Sequence, residues 1–189
     1  MDASNEVQSV TTTTVRSYHK NGNLRAEGYI CDGLKTGRWT YWYADGRVAA
    51  TGEYNNGRRN GRWKVWLHRA DGFTRYDVGF YQDGRRQGYW SLVYPKGITR
   101  GRYEGGRRNG PWRKWYRKNT GPVCCQAETF SHGEMTGVCV FTKNAIVKDI
   151  CYCENGDIVG ERLSFANDGM LVEREWWEHG EHVWSAVQP

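Results

Sequence analysis

GEYNNGRRNGRWKV, residues 52–65, holds a two-residue turn signal at Asn56-Gly57, a second glycine at Gly61 and a tryptophan at Trp63. Asn-Gly between strand-like runs is the signature of a type I′ turn, whose two central residues both need positive φ. With that turn Gly52 is expected opposite Gly61, Ala50 opposite Trp63 and Val48 opposite Val65. Strand alternation then places Val48, Ala50, Tyr54, Trp63 and Val65 on one face, and Glu53, Arg62, Lys64 and Trp66 on the other.

Outward from this stretch the pattern recurs. A turn glycine followed by a second glycine four positions on is found at Gly33/Gly37, Gly57/Gly61, Gly84/Gly88, Gly106/Gly110, Gly133/Gly137 and Gly156/Gly160, with a degenerate copy at Gly180. Successive steps are 24, 27, 22, 27, 23 and 24 residues. Self-similarity at such a period marks a stacked repeat architecture. Trp39, Trp63, Trp90 and Trp112 stand six residues after the turn glycine, and Cys139 takes that place in the fifth copy. Ile30, Tyr54, Tyr81, Tyr103, Phe130, Cys153 and Trp177 stand three residues before it. The same register predicts Gly28 opposite Gly37, Gly79 opposite Gly88 and Gly101 opposite Gly110. It also sets Glu27 against Arg38, Cys125 against Val140 and Cys124 against Phe141.

The expected fold is therefore all-β: one elongated, twisted antiparallel sheet of about seven stacked hairpins, since a lone hairpin cannot bury an apolar face. The array is expected over residues 16–184, with regular units over 16–118 and divergent, acidic units over 119–184. Residues 1–15 and 185–189 are expected to be tails. No long stretch has a helical period.

Composition agrees. The chain of 189 residues has 24 Gly, 10 Trp and 12 Tyr, too many rings for a disordered chain. It has no Gly-X-Y period and no run of about 18 apolar residues that would span a membrane as a helix. MDASNEVQSVTTTTV at the start has neither the basic nor the apolar region of a secretory signal, so a cytoplasmic protein is expected. Charge is polarised: residues 1–118 hold 23 Lys+Arg against 10 Asp+Glu, and residues 119–189 hold 4 against 11. The basic part suits an acidic protein surface, a polyanion, or the acidic end of a second copy.

The run Tyr18-His-Lys-Asn-Gly22-Asn-Leu-Arg-Ala-Glu-Gly28, followed by Gly33-x-x-x-Gly37-x-Trp39-x-Tyr41, resembles a MORN repeat. It is closest to the variant found in bacterial antitoxin-like repeat proteins. In the later units Glu128 and Cys151 stand where glycine is expected, and Cys139 where tryptophan is. The resemblance implies stacked hairpins and a role in binding or scaffolding without catalysis. The family is linked to phosphoinositide-rich membranes, protein partners, self-association and toxin neutralisation.

The candidate site is an arginine ladder. Arg58, Arg59, Arg85, Arg86, Arg107 and Arg108 follow the turn glycine in three successive units, and Lys35 in the first. Arg62, Lys64 and Arg113, with Trp42, Trp66 and Trp115, extend it over the polar face. Guanidinium groups grip carboxylate or phosphate with two parallel bonds, and rings stack on bases or sit at a membrane interface. A protein partner with an acidic surface is the leading expectation; an anionic membrane or nucleic acid is the alternative. The competing reading is that charged turns keep a long sheet from pairing edge to edge.

Cys31, Cys124, Cys125, Cys139, Cys151 and Cys153 have C-C and C-x-C spacings, unlike the C-x₂₋₄-C pairs of zinc sites. They are read as small buried hydrophobes, with no metal and no cofactor expected. Glu178-His179-Gly180-Glu181-His182 falls on the last turn, where exposed polar residues are ordinary. No nucleophile, phosphate-loop or metalloprotease motif occurs, so no catalytic residue is expected and the chain is read as a non-enzyme.

Overall fold

The computed structural model describes residues 11–68, 72, 74–117 and 123–188. In chain order the strands are β1 (Thr12–Tyr18), β2 (Leu24–Cys31), β3 (Leu34–Trp42), β4 (Val48–Asn55), β5 (Arg58–His68), β6 (Thr74–Gln82), β7 (Arg85–Tyr94) and β8 (Gly97–Glu104). They continue as β9 (Arg107–Arg117), β10 (Val123–Ser131), β11 (Glu134–Met135), β12 (Gly137–Lys143), β13 (Ile146–Glu154), β14 (Asp157–Phe165), β15 (Leu171–Glu178) and β16 (Glu181–Val187). All pair antiparallel with their chain neighbours in one open sheet, and β11 and β12 share β10 as partner. Among the described residues there is no helix, hence none long and apolar enough to cross a membrane.

The array is longer than expected at both ends. Thr12–Val15, placed in the tail by the sequence reading, belongs to β1 and pairs with Gly28–Cys31. Its threonines are β-branched and suit a strand. β16 likewise runs to Val187.

The turns are as expected. Asn56 and Gly57 have φ of 47° and 76°, and the other repeat turns also have positive φ at both central residues. Beyond the turn the register departs from the expected one. In β4–β5, Glu53 faces Asn60, but Thr51 faces Lys64 and Ala50 faces Val65, a shift of two residues. The same shift occurs at Glu27/Tyr29, Val78/Phe80 and Arg100/Arg102, and between Cys151 and Cys153. Glycine therefore does not pair with glycine, and Ala50 does not face Trp63. Cys125 faces Thr142 and Cys124 faces Lys143, two positions from expectation. Glu27 meets Arg16 at 2.7 Å instead of Arg38, because the shift carries Arg38 past it.

A second glycine at positive φ (Gly37, Gly61, Gly88, Gly110, Gly137 or Gly160) accompanies every shift of two, including those of β10–β12 and β13–β14, and in the first four hairpins a tryptophan fills the break. The indole of Trp63 lies flat on Gly52, where an added Cβ would sit 2.2 Å from Cδ2. Its Nε1 donates to the carbonyls of Glu53 at 2.9 Å and Asn60 at 3.2 Å, the last pair before the ladder breaks. Gly61, at φ 69°, bends the strand around the ring. Trp39, Trp90 and Trp112 repeat both the ring-on-glycine contact and the bond to the carbonyl ten residues back. A shift of two preserves side-chain parity, so the faces stand although the register moved.

The core is one ring wide. Trp39, Tyr54, Trp63, Tyr81, Trp90, Tyr103, Trp112 and Phe130 follow one another edge to face, with centroids 5.1–6.3 Å apart. Such pairs contribute roughly 0.5–1.5 kcal/mol each beyond area burial. Neighbouring hairpins are also tied at their turns. The amides of Gly57, Gly84, Gly106, Gly133 and Gly156 donate to the carbonyls of Lys35, Arg59, Arg86, Arg108 and Met135 at 2.8–3.0 Å.

Candidate functional site

Strand alternation divides the arginine ladder in two. Arg59, Arg86 and Arg108 share the packed face with the tryptophans, and their guanidinium carbons lie 4.4, 4.3 and 4.5 Å from the ring centroids of Trp63, Trp90 and Trp112. Lys35 covers Trp39 in the same way at 4.3 Å. A single-layer sheet has no second layer to exclude water, so these cations roof the rings and leave Trp63 and Trp90 almost fully buried. Burial disfavours the charge of Arg59, yet hydrogen bonds to the Tyr54 and Tyr81 hydroxyls hold its pKa above the ordinary arginine value. The other members, Arg58, Arg85 and Arg107, are exposed on the opposite face.

Arg86 has a further task. Asp77 is 1% exposed and lies between Arg75 at 3.1 Å and Arg86 at 3.0 Å. Arg86→Ala uncovers Trp90 and leaves a buried carboxylate with one cation. It is expected to cost up to about 3 kcal/mol, whereas Arg85→Ala should stay within about 0.5 kcal/mol. Urea denaturation of the two variants checks this; equal losses would contradict the division of the ladder.

The open face is built from residues next to the packed ones. Arg62, Lys64 and Trp66 line up on β5, and Arg113 and Trp115 on β9. Trp42, Trp66 and Trp115 are half-buried. Lys64 Nζ sits 4.7 Å from the Trp66 ring and 4.2 Å from that of Tyr76. A groove of about 380 Å³ is lined by Arg38, Thr51, Glu53, Arg62, Lys64 and Val78, together with Gly52 and Trp63.

Two rings absent from the sequence-based site lie at the centre. Phe80 is 55% exposed opposite Arg62, and Tyr89 is 80% exposed opposite Arg102. Arg100 directly faces Arg113, a like-charge pair that disfavours the isolated sheet. Arg62, Arg100, Arg102 and Arg113 are exposed, and among the described residues none is paired with a carboxylate. The signal for Phe80 and Tyr89 was adjacency: each neighbours a packed residue, Gly79 or Trp90, and must point the other way.

Along the turn edge the sign of charge inverts. Arg58, Arg85 and Arg107 occupy the first strand position after their turns, and Glu134, Asp157 and Glu181 occupy it in the later hairpins. The later hairpins also change chemistry inside. Arg162 stands at the tryptophan position, held by Asp149 and Glu175 at 3.1 Å each. Cys139, Cys151 and Cys153 bring their sulfurs within 4.8 Å of one another. His182 packs edge-on against Trp177 at 5.3 Å, and the Glu178–His182 cluster contributes no ligand to that grouping. Comparison with models of protein families and with curated proteins found no match to this chain.

Proposed function

We propose that the chain is a non-catalytic, MORN-like repeat scaffold that binds a protein partner through its open face, in a reducing, cytoplasmic setting. The observation that carries this reading is the exposure of Phe80 and Tyr89 beside the uncompensated Arg62, Arg100, Arg102 and Arg113. Aromatic residues and arginine are the types enriched at interface centres, because rings supply area at low entropic cost and guanidinium supplies directional bonds. An acidic partner would relieve the Arg100–Arg113 repulsion. Neutralisation of a toxin is one form this takes; head-to-tail association of copies, basic edge to acidic edge, is another.

A second reading rests on the turn edge. Inter-turn hydrogen bonds hold Arg58, Arg85 and Arg107 in a row, which suits a polyanion such as anionic lipid headgroups or nucleic acid.

The test compares the wild type with Tyr89→Ala/Arg102→Ala and with Arg58→Ala/Arg85→Ala/Arg107→Ala, each first shown to be folded. A partner captured from the source cell should lose at least ~30-fold in affinity for the first variant and little for the second. Equal binding by the first variant would defeat the open-face reading. Steep salt-dependent binding to duplex DNA, with a log–log slope of roughly −5 and lost only in the second variant, would favour the polyanion.

A further inference from the structure

Where the ring ladder ends, a sulfur cluster begins. Cys139 holds the position of Trp90 and Trp112, and Cys153 that of Tyr81, Tyr103 and Phe130. Cys151 stands where Gly52 and Gly79 stand in earlier hairpins, and it faces Cys139 as Gly101 faces Trp90. The tryptophan position of its own hairpin holds Arg162, so no indole lies on the backbone and a Cβ is tolerated. Three thiols thus fill space that two rings occupy elsewhere.

All three are free; Cys153 is 1% exposed, and Cys139 and Cys151 are half-buried. Cys139 Sγ and Cys153 Sγ are 3.5 Å apart. A triangle of sulfurs with sides from this value up to 4.8 Å has its centre about 2.0–2.8 Å from each corner, which spans a metal–thiolate bond. Among the described residues no further His, Cys, Asp or Glu joins the group, so the fourth ligand that structural zinc requires is missing from it. Soft sulfur ligands instead select Cu(I). Met135, a thioether, holds the position of the roofing cations Arg86 and Arg108.

We propose that Cys139, Cys151 and Cys153 form a three-thiolate site for a soft monovalent d¹⁰ cation of the Cu(I) class. Three S–H bonds break as three S–metal bonds form, the protons leave to solvent, and no electron moves because the metal enters as the monovalent ion. Burial pushes the Cys151 and Cys153 thiols up, so they hold their protons at neutral pH. Affinity therefore rises with pH, about tenfold per unit for each proton released. Arg162, facing Cys151 across β13–β14, favours the thiolate there. The site is independent of the partner-binding face.

The full chain, reduced and kept anaerobic, is titrated with Cu(I) against a chromogenic chelator, with Ag(I) and Zn(II) as parallel arms. One equivalent of Cu(I), with a near-ultraviolet sulfur-to-copper band, is expected. It should persist in Cys31→Ser/Cys124→Ser/Cys125→Ser, which keeps only the cluster. Adding Cys151→Ala should lower affinity by more than ~100-fold, beyond the loss seen when a mere supporting residue of a metal site is removed. Should the triple variant fail to fold, Cys151→Ala in the wild-type chain must reduce the stoichiometry by one, with circular dichroism unchanged. Uptake lost in the folded triple variant, uptake indifferent to Cys151→Ala, or tighter binding of Zn(II) than of Cu(I) would each overturn the proposal. So would reduced protein that takes up no metal and closes a disulfide within the cluster on re-oxidation.

Discussion

Gly52→Val is expected to lower stability by more than about 4 kcal/mol, enough to leave little folded protein at 25 °C. The position has no room for a side chain, because the Cδ2, Cε2 and Cγ atoms of Trp63 would lie 2.2–2.4 Å from an added Cβ. The indole cannot retreat without giving up its bonds to Glu53 and Asn60 and its contacts with Tyr54 and Tyr81. Gly61→Val acts differently: its Cβ would meet the Glu53 side chain, nearest at Oε2 3.3 Å away, and the cost comes from holding a β-branched residue at φ 69°. Arg58→Ala removes an exposed side chain and should cost little. Thermal melts rank the three variants, and equal midpoints would contradict the arrangement. A double-mutant cycle identifies the clash. With Trp63→Ala in place Gly52→Val should cost far less, whereas additive losses would separate the glycine from the ring.

Trp90→Ala is expected to cost about 3–5 kcal/mol, with Trp90→Phe well below that. Trp90 is 1% exposed, stacks edge-on with Tyr81 and Tyr103, donates to the Phe80 carbonyl at 3.1 Å and lies under Arg86. It is therefore a link between two hairpins as well as the centre of one. Trp115→Ala, on the open face, should cost much less because that ring is only half-buried. Urea denaturation distinguishes the two; comparable losses would mean that the open face is as closely packed as the other, against the exposure of Phe80 and Tyr89.

Much of the architecture was legible from a few residues. Asn56-Gly57 and its counterparts announced the turns, because positive φ at two consecutive residues restricts the residue types that fit. Alternation around Trp63 then separated the faces, and Ala50 and Trp63 are buried on the side assigned to them. The register was not legible. Reading Gly52 against Gly61 assumed an unbroken ladder, whereas Gly61 at positive φ breaks it by two residues and the indole N–H satisfies the carbonyls at the break. The candidate site suffered in a related way. Arg58 and Arg59 look equivalent in a linear sequence, but successive residues of a strand point to opposite faces, and only one of them meets a ring.

The local sequence by itself determined the hairpins, their turn type and the two faces, since each depends on φ/ψ limits and a period of two within a single unit. Tertiary structure alone decided which cations became a roof, which rings stayed exposed and which sulfurs met. Those outcomes depend on what the next hairpin presents. A ring, an arginine or a thiol has no fixed role until a neighbour some 24 residues away, the first repeat step, supplies the surface it packs on.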